Sequence, residues 1–170
     1  MRLFSGKVGP IASEVVKALV SAGDIEAPSP KEVEADIAAV LGSYLRVEQE
    51  ANDGAKDYLQ RHNLGQGEFN RVKRLIAEQK GIKTGDDALD YMLDQVVEML
   101  LHSANVDEVF AEDHDMRRKM APIFKKHLAA DDELEREVRG QLKHMQEGTR
   151  TWEIEYQRVM ADIKRRKGLG

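Results

Sequence analysis

Cysteine is absent from this 170-residue chain. Disulfides, thiolate metal centres and cysteine nucleophiles are therefore excluded. Aromatic residues make up only 5% of the sequence, which disfavours a β-rich fold, since strands draw on aromatic and β-branched side chains. Prolines number four, leaving long stretches free of helix breakers. Long apolar runs are also missing: no window approaches the roughly 18 apolar residues of a membrane span. A secretory signal is not expected, because Glu14 and Lys17 interrupt the segment that would form its apolar core. Nor is there a surplus of positive charge. The formal net charge of −5 opposes general attraction to nucleic acid or anionic membranes. Residues 1–85 carry 12 basic and 12 acidic side chains and residues 86–170 carry 14 and 19, so the acidic surplus lies in the second half. A cytoplasmic location is the default expectation, with no membrane partner.

What is present is a helical pattern. At 41% hydrophobic and 34% charged, the chain is apolar enough to bury a core, and an all-α fold is expected. The clearest stripe is Leu89, Met92, Leu93, Val96, Val97, Leu100 and Leu101. Its spacing of three and four is that of a helix with one broad face against a core. Val8, Ile11, Ala12, Val15, Val16, Leu19 and Val20 repeat it 81 residues earlier, and Asp24-Ile25-Glu26 answers Asn105-Val106-Asp107 at the same shift.

Around these twins the chain reads as a tandem duplication. The first helix is expected from about Pro10 to Ala22, ended by Gly23. Ser29-Pro30-Lys31-Glu32 has the arrangement of a capping box, and the helix it opens can reach His62, with Gly54 as a point of bending or fraying. A shorter helix follows from Glu68 to Lys80, and Asp86 or Asp87 can cap the next. In the second half a long helix is expected over Val106 to Thr149, with a kink or new start at Pro122. At a shift of 83, Ile37, Val40, Leu41, Leu45 and Leu59 meet Met120, Ile123, Phe124, Leu128 and Leu142. The last helix, Trp152 to Lys167, mirrors the short one at a shift of 87: Glu68, Arg71, Val72 and Ile76 meet Glu155, Arg158, Val159 and Ile163.

Met1-Arg2-Leu3, the helix from Ile11 to Val20, the segment Asp107 to Asp113 and Met116-Arg117-Arg118 resemble the bacterial domain-of-unknown-function family 507. The resemblance extends over the whole chain. It implies a small, all-helical, elongated bacterial protein, and it carries over no activity and no catalytic residue.

Glu48 and Asp131 are the interaction candidates within the long helices. They are equivalent at a shift of 83 and fall on or beside the apolar seam, where a carboxylate needs water or a cation. The first reading is a solvated point where the packed helices diverge; the sharper alternative is that Arg71 and Arg158, matched across the repeats, reach these acids and hold each short helix on its long one. A shared metal site is disfavoured. No histidine stands three residues after a glutamate, none stands four from another, and no zinc motif is present. The basic runs Arg117-Arg118-Lys119, Lys125-Lys126 and Lys164-Arg165-Arg166-Lys167 lack interleaved aromatics, and the last complements a helix C-terminus. Gly81 to Gly85 lacks the spacing of a phosphate loop. Trp152 opens the last helix and is expected to pack over the end of the long one.

The expected architecture is therefore an all-α bundle of two tandem three-helix repeats, residues 1–85 and 86–170, fused into one unit. The two broad-stripe helices are placed as central neighbours, with the long helices as antiparallel, coiled-coil-like arms. The expected function is a non-catalytic interaction or scaffold protein whose partner is another protein. Nucleic-acid or ribonucleoprotein binding through the basic runs is the alternative, and an unrecognised hydrolase or metal enzyme stands third. No cofactor, metal or catalytic residue is assigned.

Overall fold

A computed structural model describes residues 2–146 and 149–168, with the side chains of residues 129–132 outside that description. Among the described residues the fold is all-α apart from one small ladder: α1 (Ser5–Ser21), β1 (Ile25–Glu26), α2 (Pro30–Arg61), α3 (Phe69–Gln79), α4 (Ala88–His102), β2 (Glu108–Val109), α5 (Asp113–Gln141) and α6 (Arg150–Lys167).

The helix ends follow local chemistry, with four departures from the sequence pattern. α1 begins before Pro10, which lies inside it. Its apolar stripe reaches back to Val8, which packs on the main core, and Phe4 just before the helix is buried against α6. At its other end Gly23, at φ +73°, lets Gly23 N–H bond to the Val20 carbonyl and Asp24 N–H to that of Leu19. α2 starts at Pro30 as expected, but the Ser29 hydroxyl makes no capping bond there; the Ser29 carbonyl accepts from Glu32 and Val33 N–H instead. Gly54 does not end α2. A methyl group there would come within 3.3 Å of Ile76 Cδ1, so the bare backbone makes room for α3.

The expected helix from Val106 starts only at Asp113. Before it, Asp107 N–H bonds to the Glu26 carbonyl and Phe110 N–H to that of Asp24. These pairings between the halves use the donors that a local helix would have turned inward. Pro122 then lies within a helix that runs on to Gln141.

Four helices form a ring. α1 packs on α2 and α5, and α4 packs on the same two. α1 and α4 thus sit on opposite corners with α2 and α5 as their main neighbours, whereas the stripes had suggested that they would be each other's principal partner. The ring interior is one continuous core containing Ile11, Val15 and Leu19 of α1, Ile37 and Leu41 of α2, Val96 and Leu100 of α4, and Met120 and Phe124 of α5. Outside the ring, α3 lies on the distal part of α2 through Ala55, Leu59 and Val72. α6 lies on the distal part of α5 through Leu134, Val138, Leu142, Val159 and Ile163. Phe4 joins that second cluster while Leu3 joins the main core, so the N-terminal segment ties α6 to the ring. Lys164 Nζ lies 4.4 Å from the centre of the Phe4 ring.

Exchanging α1 with α4, α2 with α5 and α3 with α6 returns the same set of packed pairs. The ladder obeys the same exchange. It pairs Ile25 with Val109 and Glu26 with Glu108, antiparallel. The inward-facing Ile25 and Val109 stand 84 apart, three residues more than at the stripe helices; the loop after α4 absorbs the difference.

Candidate interaction surface

The β1–β2 end of the ring is where the halves interlock through polar side chains. Asp24, just before β1, is buried, and its carboxylate lies 2.6 Å from Lys119 Nζ of α5. On the other side, Asp36 of α2 accepts from Ser103 Oγ at 2.6 Å and Asn105 Nδ2 at 2.9 Å. Asn105 stands 81 residues after Asp24 and Lys119 stands 83 after Asp36, so the two clasps occupy equivalent positions with different chemistry. A third contact, on α1 and α5, joins Glu14 to Lys126 at 2.9 Å and to His127 at 3.0 Å. The hydrogen bond from Lys126 holds the Glu14 carboxyl below its ordinary range, with His127 acting the same way.

The four long-helix candidates do not gather into one site. Glu48 is largely buried, and the cation that reaches it from α3 is Lys73, at 3.1 Å, not Arg71. Arg71 pairs with Glu68 at 2.6 Å, one turn earlier on its own side of the molecule. Arg158 repeats this at the matched position, with Glu155 at 2.7 Å and Asp162 at 3.5 Å. Both arginines are exposed and brace their own segments. Asp131 lies outside the described side chains. The spacing placed Glu48 correctly on the seam; Lys73 was legible only as one more basic residue of α3.

A groove of about 430 Å³ runs between α2 and α4, lined by Val40, Ser43, Tyr44, Tyr91 and Gln95 among others. Tyr44 donates to the Lys83 carbonyl at 3.0 Å. Burial, and secondarily the charge of Glu48, keeps its hydroxyl protonated far above the usual range. That bond anchors the loop before α4. Trp152 packs into the α5–α6 cluster, 5.0 Å from the Tyr156 ring and beneath the Arg139 guanidinium. Among the described residues, no group of three or more His, Asp or Glu is arranged to hold a metal ion, and no helix is long and apolar enough to cross a membrane.

The basic run of α5 is spent internally. Arg117 pairs with Asp94 of α4 at 2.6 Å, Lys119 with Asp24, and Arg118 lies 3.8 Å from Asp115. Phe110 is 63% exposed, next to the ladder, with Leu101 at 45% and Val20 at 37% on the ends of α4 and α1. The sequence pattern gave no weight to Phe110; an aromatic between Glu108 and Glu112 was the available signal.

A family described as "Protein of unknown function (DUF507)" matches residues 1–169. The chain belongs to that family. Comparison of this DUF507 chain with curated proteins found no match. Membership agrees with the all-helical architecture and adds no residue role, so the function has to be argued from the surface.

Proposed function

We propose that this DUF507 protein is a non-catalytic helical interaction protein of the cytoplasm, built as a tandem duplication, whose contact surface is the β1–β2 end of the ring. The observation that carries the reading is Phe110, the most exposed large apolar side chain among the described residues, with Val20 and Leu101 also exposed near the ends of the helices that lead into the two strands. Aromatic side chains bury a large area at small entropic cost, and a few such anchors dominate the energetics of protein interfaces. The interlocked halves behind the patch supply a rigid support, since Asp24–Lys119 and Asp36–Asn105 fix the loops that present it.

The test is a photo-crosslinking amino acid placed at position 110 of the full chain in the native cell, with the same group at Arg61 as control. A discrete adduct at 110 and none at 61 supports the reading; equal or absent labelling removes it.

Nucleic-acid binding is favoured by one feature, a shallow groove of about 390 Å³ lined by Arg158, Arg165, Arg166 and Gln141. Two of those arginines already pair with Asp162, which lowers the charge on offer. A gel shift with mixed-sequence RNA and DNA decides it: phosphate contacts require binding at low salt that weakens steeply as salt rises.

A further inference from the structure

The outward face of the ladder is the least satisfied surface of this end. Ile25 and Val109 are directly paired and turn inward, packed on the main core. Side chains alternate along a strand, so Glu26, Glu108 and, two residues on, Phe110 share the opposite face, and all three are exposed. Glu26 and Glu108 stand directly across from each other. Opposed residues of an antiparallel pair hold their Cβ atoms about 4.5–5.5 Å apart, and two like charges there repel. Neither has an ion-pair partner among the described residues, and nor do Asp107 and Asp113 beside them, while Arg117 and Lys119 are committed to Asp94 and Asp24.

From this geometry we propose that the Glu26–Glu108–Phe110 face receives an arginine side chain from a basic segment of a partner protein. A guanidinium carries five donors in one plane. It can bridge both carboxylates, cancelling their repulsion, while its flat face stacks on the Phe110 ring. Lysine offers a point charge without the plane, so it fits this face less well. Phosphate ligands are repelled by the same carboxylates.

The proposal rests on the interaction reading above, and the test separates the two. The full ¹⁵N-labelled chain is titrated with a blocked peptide of sequence Gly-Ser-Arg-Leu-Arg-Ser-Gly, and with versions carrying lysine or citrulline in place of both arginines. Saturable amide shifts are expected within 24–27 and 107–112, about fivefold weaker for the lysine peptide and lost for citrulline. Phe110→Ala and the double variant Glu26→Gln, Glu108→Gln should each weaken the arginine peptide about fivefold or more. The double variant removes a repulsion, so it should melt no lower than the parent, which guards against a folding artefact. Shifts elsewhere, equal binding of lysine, or concentration-dependent self-association that Phe110→Ala abolishes would overturn the arginine site. An adduct at position 110 without these shifts would leave the interaction reading standing and remove only this one.

Discussion

The Lys119 ammonium lies 2.6 Å from the Asp24 carboxylate, joining the second turn of α5 to the turn that ends α1. Asp24 is 7% exposed, and its backbone carbonyl also receives Phe110 N–H at 2.8 Å. One residue thus fixes both the ring and the start of the ladder. Lys119 is the seventh residue of α5 as Asp36 is the seventh of α2, and each reaches the loop of the opposite half.

Removing the Lys119 cation should therefore be costly. Lys119→Met keeps the stem and leaves Asp24 buried with one charged partner fewer. A loss of about 1–3 kcal/mol is expected, below the cost for a fully buried pair because Lys119 itself is partly solvated. Urea unfolding measures it. Asp24→Asn in the Lys119→Met background should recover part of the loss, since the stranded charge is gone; strictly additive losses would show that the two residues act independently.

Glu48 and Lys73 form the second testable pair. Both are mostly shielded, at 13% and 20% side-chain exposure, so screening by solvent is reduced relative to the surface pairs. A cycle of Glu48→Ala with Lys73→Ala should give a coupling of about 1 kcal/mol. The corresponding cycle of Glu48→Ala with Arg71→Ala should be additive, because Arg71 is turned to Glu68. Coupling in the second cycle and none in the first would reverse the assignment.

The contrast between those two cycles marks how far the sequence could be read. The apolar stripes of α1 and α4 were legible because each faces a single core, so period and face coincide. The matched positions of α2 and α5, and of α3 and α6, followed from the same periodicity. The ring order was not legible: the stripe of α1 is broad enough to touch two neighbours, and nothing in its spacing says that these are α2 and α5 instead of α4. The ladder was hidden too, because two-residue strands leave no period to detect and their pairing is between residues more than 80 apart. Polar partners were the least legible. A lysine and an arginine two residues apart on α3 differ in direction by most of a half-turn, and only packing decides that Lys73 points inward.

Acid should loosen the seams that rely on carboxylates. Glu14 is held below its ordinary value of 4.5 by Lys126, Glu50 by Lys80 and Glu137 by Lys167. A depressed folded-state pKa means that the unfolded chain takes up protons first as pH falls. The contribution is therefore fully present above about 4.5 and lost as pH drops through the folded values. Glu14→Gln should lower the thermal midpoint at about pH 6 and converge on the parent by about pH 3. A gap that stays constant over that range would place the effect in packing and not in the carboxylate charge.

Gly54 and Ile76 offer a test with a sign that depends on context. A glycine inside a helix costs about 1 kcal/mol relative to alanine, so Gly54→Ala alone should stabilise α2. Yet the added methyl would sit 3.3 Å from Ile76 Cδ1 and 3.7 Å from Cγ2, closer than relaxed packing allows, and α3 is held on α2 by the cluster around Ala55, Leu59 and Val72, by the buried Ala77 and by the Glu48–Lys73 pair. The gain and the crowding oppose each other, and the single variant should fall within about 0.5 kcal/mol of the parent. Ile76→Val removes Cδ1 and should cost about 1 kcal/mol by itself. In the Ile76→Val background the crowding is gone, so Gly54→Ala should now deliver most of the helix-propensity gain. Guanidinium unfolding of the four proteins gives the coupling directly. A favourable coupling identifies close approach of α3 as the reason for glycine at this position, whereas a full gain in the single variant would show that Ile76 yields freely and that the glycine serves no packing role.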